Sequence, residues 1–321
     1  MKRKYAAITG FMGKIQDRFA QYAPERDFET MIEMCSRIKN CSGVEVVYPQ
    51  QVTDPIKAKQ IMDNYGLEVA AVNVNLKGEP KWLFGSITSP NKETRAEAVK
   101  YIKTGLDIAA NMGCKKMTVS FLNDGSDYPF EFDFVRGWND AVEAIREAGS
   151  HRKDVLLSLE YKHSEPRVHG MLGNAGKMAY FCEMVGLDNV GVTLDTGHAL
   201  QSLEILGDSV AFLGATNRLF HVHINDNYRN WDWDMVPALV NFWEFIEFSM
   251  YLDTVGYTEW LTADVFPARH DPIRIMDKTF EWMDYVTEIS DAIQAEGVVF
   301  DMMNNGADAF EMMDYVRKFV K

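Results

Sequence analysis

Apolar positions in this chain follow two rhythms that alternate from one end almost to the other. Short β-branched runs at residues 5–11, 44–48, 67–75, 116–121, 155–160, 190–195, 219–224 and 257–265 have the length and composition of buried strands. Between them the apolar positions fall three and four apart. Phe28, Met31, Ile32, Cys35 and Ile38 share one face of a helix predicted over 28–40, and a second is predicted over 94–112, ending before Gly113. Parallel strands need crossovers of about a dozen residues or more, usually helical. Eight such units in series close most naturally into an α/β (β/α)8 barrel. An open doubly wound sheet is the alternative, favoured by a glycine-rich phosphate turn after the first strand. GFMGKIQDR, which follows that strand, is not G-x-G-x-x-G.

No Pro/Gly/Ser linker or low-complexity run divides the chain, so one barrel over 1–295 is expected. Residues 296–321 form a C-terminal helical extension that is not an independent domain. Phe310, Met313, Val316, Phe319 and Val320 recur at helical spacing in it, as in a packing or subunit-contact helix. Of the 321 residues, 47% are apolar, enough for a large core and against a disordered chain. Acidic side chains outnumber basic ones 47 to 33, and the formal charge of -14 repels phosphate backbones and anionic lipid. Nucleic acid and membranes are not expected partners. Four cysteines without a C-x-x-C pair suggest reduced thiols in a cytoplasmic protein. The N-terminal apolar run, broken by Lys14, is not a signal peptide, and no stretch reaches the roughly 20 apolar residues of a membrane span.

Barrel active sites form where strands end. Strands five to eight end in Glu160, Asp195, His223 and Asp264, where the pattern otherwise calls for apolar residues. Neighbouring strands lie about 4.8 Å apart, so four inward groups at one level can reach one ion. Three ionised carboxylates cannot share a cavity without a cation. Oxygen donors with one imidazole suit Mn²⁺, Mg²⁺ or Co²⁺, and no cysteine is present for a thiolate zinc site. His221 and His223 share the inward face of their strand; His223, nearer its end, is the expected ligand, and His221 a buried supporting residue. A second group adjoins them. His198 follows Asp195 through a tight turn, and Asp232 and Asp234 alternate in Trp-Asp-Trp-Asp, so that with a bridging Asp195 they complete a second metal position. Trp231 and Trp233 suggest an aromatic wall for a sugar ring.

These residues resemble a known group. LEYKHSEPR, residues 159–167, is similar to the E-x-K-x-x-E-P-R segment of xylose isomerases and to the E-x-K segment of L-rhamnose isomerases. LDTGH resembles their acid-x-x-His, and FHVHINDNYRNWDWD their His-x-Asn-Asp and D-x-D segments. Ketose 3-epimerases share these strands, and their His–Arg pattern fits His223 and Arg229. The resemblance covers about 155–270 and implies the xylose isomerase-like TIM-barrel superfamily. It implies that Glu160, Asp195, His223 and Asp264 hold the tight metal, that His198, Asp232 and Asp234 serve a mobile one, and that Lys162 sits at the carbonyl oxygen of an open-chain sugar. Glu160, Lys162, His198, Asp264 and Arg229 are then the candidate catalytic residues. His223 and Asp232 are one residue further apart than in the rhamnose isomerases, and Asp264 stands where the 3-epimerases carry glutamate.

The expected activity is a Mn²⁺-dependent isomerase of an unphosphorylated aldose and ketose, working as a dimer or tetramer of one chain. A ketose 3-epimerase, a metal-dependent lyase or deglycosidase, and a non-catalytic sugar-binding barrel remain open. A DNA-repair endonuclease barrel would want a basic groove and more than seven histidines. Phe11, Trp82, Phe84 and Trp138 are candidate pocket aromatics. Glu165 and Arg167 are expected to pair with each other or with a neighbouring subunit, and His163 to be loop.

Overall fold

The structure, a computed structural model, describes residues 2–165 and 167–320. Pro166, of the E-P-R segment, and Lys321, at the end of the extension, lie outside the described residues. Eight parallel strands close into a barrel: β1 (Lys4–Ile8), β2 (Cys41–Tyr48), β3 (Glu68–Val74), β4 (Lys116–Ser120), β5 (Leu156–Glu160), β6 (Val190–Asp195), β7 (Leu219–Ile224) and β8 (Trp260–Ala263), with β8 pairing back onto β1. Outside run α1 (Phe28–Ser36), α2 (Pro55–Asn64), α3 (Lys92–Asn111), α4 (Phe134–Gly149), α5 (Ala175–Val185), α6 (Thr196–Gln201) with α7 (Leu206–Ala215), α8 (Phe242–Thr254) and α9 (Pro272–Ala295). The (β/α)8 barrel is therefore as expected. Asp27, Asp54, Asn91, Asp133, Asn174 and Asp271 start six of these helices by accepting N–H bonds from the first turn.

Alternation along the strands divides the core into two layers. Val44, Val46, Val72, Met117, Val119, Leu157, Leu159, Val192, Leu194, Val222 and Leu261 are buried between sheet and helices. The opposite face carries Glu45, Asn73, Thr118, Ser158, Glu160, Thr193, Asp195, His221, His223 and Thr262 into the barrel axis. Ala6, Ala70 and Trp260 close its lower end as a small apolar cluster. Gly43 is required there: a Cβ at that position would lie 2.7 Å from the Trp260 ring.

Several bounds differ from the sequence pattern. The first strand stops at Ile8, because a 3-10 turn follows over Thr9–Met12 and Thr9 turns its hydroxyl to the Glu45 carbonyl at 3.0 Å. The helix predicted over 28–40 ends at Ser36, with Asn40 in the left-handed region at φ 62°. β8 is four residues long, and Asp264 lies just past it, its N–H donating to Ile224 O at 3.3 Å. In the extension, α10 (Val299–Asn304) and α11 (Ala309–Val316) pack beside α8, with Phe300 6.0 Å from the Tyr251 ring. Tyr315 is the buried aromatic of α11, and Phe310 is exposed.

The loop after β3 is tied down by a buried carboxylate. Asp124 accepts from Ser86 N (3.0 Å), Ser86 Oγ (2.6 Å), Thr88 N (2.8 Å) and Thr88 Oγ1 (2.7 Å). Asp124→Ala should lower unfolding free energy by about 2 to 4 kcal/mol, the scale of leaving buried donors without acceptors. The chemical-denaturation midpoint measures this; an unshifted midpoint would contradict the clamp.

Candidate metal centre

Asp195 and His223 are direct register partners across β6 and β7, which sets them at one level of the barrel. Glu160 ends β5 and Asp264 follows β8, so the four predicted strand-end groups converge. One ligand atom from each of Glu160, Asp195, His223 and Asp264 lies within 4.8 Å of the others. His223 Nδ1 faces Glu160 Oε1 at 3.4 Å, Asp264 Oδ2 at 3.5 Å and Asp195 Oδ2 at 3.8 Å. That nitrogen is buried and has no hydrogen-bond partner. An unpartnered imidazole nitrogen among three carboxylates fits a divalent cation, and the oxygen-rich donor set suits Mn²⁺, Mg²⁺ or Co²⁺.

Asp195 also starts α6, accepting His198 N–H at 2.9 Å. This cap points the His198 ring back over the strand ends, where Asp195, His198 and Asp232 form a second cluster within 4.8 Å. His198 Nε2 lies 3.1 Å from Asp232 Oδ2, and Nδ1 lies 2.9 Å from Tyr161 O and 3.2 Å from Glu160 Oε1. Asp232 Oδ1 is buried without a partner. Only glycine fits at 197, since a Cβ would stand 1.8 Å from Asn225 Oδ1. The loop bearing Asp232 is held by paired backbone bonds between Asp226 and Met235 (2.9 and 3.0 Å) and by Asn227 Nδ2 donating to Gly197 O at 2.8 Å. Lys162 Nζ pairs with Asp232 Oδ2 at 2.7 Å and with Glu165.

Two predicted members are not brought in. Asp234 is not within ligand distance of all of Asp195, His198 and Asp232, although Asp232, Asp264, Lys162 and Asp195 are the charges that act on its carboxyl; its backbone takes φ 46°. Arg229, also at positive φ, reaches outward to Glu244 and to Glu204 O at 3.2 Å, so it does not face the strand ends. Glu165 and Arg167 do not pair with each other; Arg167 binds Asp127 at 2.8 Å and Tyr128 OH at 2.9 Å. Trp82 is buried against Tyr101, Trp138 packs on Phe181, and Phe84 is exposed, so these three are packing or surface aromatics. His163 is loop, as expected.

Burial opposes every charge here, and neighbours decide the outcome. Glu160 is brought down to about 2 by the His223 and His198 imidazoles despite its burial. Asp264 is pushed up to about 7 by burial and by Asp195 and Glu160. Burial also raises Asp195, and it raises Asp234 well above the carboxylate range, with Asp232 and Asp264 adding to it. Asp195 and Asp232 outweigh burial at His198 and lift it to about 9. Lys162 is held well above its ordinary value by Asp232 and Glu165 against burial.

Sequence pattern missed Glu45. It is fully buried on β2 and touches both His221 Nε2 and His223 Nε2 at 3.1 Å, from the far side of the barrel. The available signal was one carboxylate on the inward register of an otherwise apolar strand, Val-Glu-Val-Val. Asn225, which donates to both Asp195 oxygens (3.0 and 2.9 Å), was missed too.

A cavity of about 1050 Å³ opens beside Asp234, walled by Phe19, Tyr22, Trp233 and Phe266. It is large enough for a sugar.

A family model described as the xylose isomerase-like TIM barrel matches residues 24–286, and the chain belongs to that family. It is 26% identical over 220 residues to a Mesorhizobium japonicum protein called "Probable sugar isomerase", covering 65% of this chain and 51% of that one. It is 25% identical over 185 residues to the xylose isomerase of Thermus thermophilus, covering 56% and 48%. The chain thus spans about half the length of these curated relatives. The structure of an L-ribulose 3-epimerase has the same fold, with a TM-score of 0.70 at 17% identity over 92% of this chain and 98% of that one.

If both clusters take ions, added Mn²⁺ should raise the melting midpoint and EDTA should reverse it. Saturation at a hundredfold excess over Kd corresponds to about 2.7 kcal/mol. His223→Gln should abolish most of the shift, and a wild-type midpoint unmoved by Mn²⁺, Mg²⁺ and Co²⁺ would count against the centre.

Proposed function

We propose that this protein is an enzyme that interconverts an unphosphorylated aldose and its ketose, using Mn²⁺, with Mg²⁺ or Co²⁺ as alternatives. The observation that carries this reading is Lys162. An ammonium has three N–H donors; Asp232 and Glu165 take two, and the third is left for a substrate oxygen beside both clusters. A divalent cation held by Glu160, Asp195, His223 and Asp264 supplies Lewis acidity to the sugar oxygens, and a second one fits Asp195, His198 and Asp232.

The chain's own groups then have separate tasks. Lys162 donates to O1 of the open-chain sugar and stabilises negative charge there while hydrogen moves between C1 and C2. Asp232 and Glu165 keep that ammonium charged and aimed. His198, fixed by Tyr161 O and Asp232, orients the substrate end of the second cluster.

Epimerisation at C3 is the second reading, favoured by one observation: Glu160 and Asp264 both face His223 Nδ1, at 3.4 and 3.5 Å, so two carboxylates stand where a carbon-bound proton could be taken up and returned. Turnover in D₂O separates the two. Hydride transfer leaves the product essentially free of solvent deuterium, whereas substantial carbon-bound deuterium would overturn the isomerase reading in favour of proton transfer. Lys162→Met should lower kcat by about 10² to 10³, the effect of removing one charge-stabilising donor, with a folded protein and unchanged Mn²⁺ binding. A kcat within a few-fold of wild type would remove Lys162 from the chemistry.

A homo-oligomer, dimer or tetramer, is supported by exposed apolar side chains: Leu83 and Phe84 after β3, Phe130 before α4, and Phe134 and Val135 in its first turn. Four unpaired cysteines support a reducing, cytoplasmic setting.

A further inference from the structure

Glu45 has no task in the reading above, yet it is a fully buried carboxylate on the barrel axis. Its acceptor positions are filled. Oε1 takes the Thr118 hydroxyl at 2.6 Å and Asn73 Nδ2 at 3.0 Å; Oε2 faces His221 Nε2 and His223 Nε2, both at 3.1 Å. Four donors converging on one carboxyl leave it no room for a proton of its own.

That arrangement settles which nitrogen of each ring carries hydrogen. Lys116 Nζ, which can only donate, lies 3.3 Å from His221 Nδ1, so His221 keeps its hydrogen on Nε2 and presents it to Glu45, sharing it with Thr262 Oγ1 at 3.0 Å. His223 likewise presents Nε2–H to Glu45 Oε2. What remains on His223 is Nδ1, buried, without a hydrogen-bond partner and surrounded by Glu160, Asp195 and Asp264.

We infer that Glu45 is the positioning residue of the metal centre: through Nε2 it fixes the orientation and tautomer of His223 so that Nδ1 is the bare, strengthened donor to a divalent cation. Glu45 touches neither cation nor substrate. It acts from below through the ring, while Thr118, Asn73 and the Lys116–His221 pair hold Glu45 itself in place. The inference rests on the metal reading, and it adds a carboxylate from the second strand to a centre otherwise built from the fifth to eighth.

The test measures Mn²⁺ affinity by isothermal titration of the purified full chain, wild type against Glu45→Gln. The substitution keeps the shape and removes the charge. Mn²⁺ binding should weaken about 10- to 100-fold, as for other partners of metal-bound histidines, while kcat at saturating Mn²⁺ stays within a few-fold of wild type. A purely structural Glu45 would lower the melting midpoint and leave the dissociation constant alone, so a folded Glu45→Gln protein binding Mn²⁺ within twofold of wild type overturns the inference. Nitrogen-15 imidazole NMR of the wild type with Mg²⁺ needs no variant: hydrogen on His223 Nε2 is expected, and hydrogen on Nδ1 overturns the inference even if Glu45→Gln fails to fold. A wild-type chain that takes up no Mn²⁺ would instead sink the metal reading itself, and this inference with it.

Discussion

The structure depends on the mutual repulsion of carboxylates gathered inside a barrel. Glu160, Asp195, Asp232 and Asp264 approach one another across a space that His198, His223 and Lys162 only partly neutralise. Two like charges about 4 Å apart repel by about 4 kcal/mol at an effective dielectric of 20, so ionising all of them together without further positive charge is strongly unfavourable. The divergence of Glu160 and Asp264, one held down and the other pushed up, shows the balance being struck by protons. A divalent cation would supply the same compensation more directly and would match the unpartnered nitrogen of His223.

The barrel makes this concentration of charge possible because its strands are two-faced. Residues one apart point to opposite sides: Val222 and Leu194 bury against helices while His223 and Asp195, their neighbours, face the axis. The stability of the outer layer therefore does not depend on the polarity of the inner one. Glycines at 43 and 197 let the ring of Trp260 and the side chain of Asn225 approach the backbone closely, one closing the lower end and the other shaping the upper. Between the two ends the interior is a stack of hydrogen-bonded polar side chains, and this column links Lys116 and Glu45 to the histidine that faces the strand ends.

Membership of the xylose isomerase-like barrels fits this division of labour, since the fold is shared with proteins named for aldose isomerisation and for ketose epimerisation. In the proposed reading, the choice between those chemistries would turn on the Lys162 ammonium and the Glu160–Asp264 carboxylate pair. Lys162 and Asp264 lie on different loops, so the fold is compatible with either chemistry.

The amino-acid order alone determined the eight-fold alternation of strands and helices, and with it the barrel. It also determined the four strand-end groups and the Asp195–x–x–His198 turn, because period-two and cap signals are local and need no knowledge of what lies opposite. Its limits were equally physical. Asp234 sits two residues from Asp232 and reads as its twin, yet only Asp232 comes within ligand distance of Asp195 and His198, and nothing local signals that difference. Arg229 was implied by the resemblance to ketose 3-epimerases, while its pairing with Glu244 depends on where α8 packs. Glu45 is 178 positions from His223; only closure of the barrel sets a second-strand carboxylate against a seventh-strand imidazole, and a contact made by closure leaves no trace in either strand's own pattern.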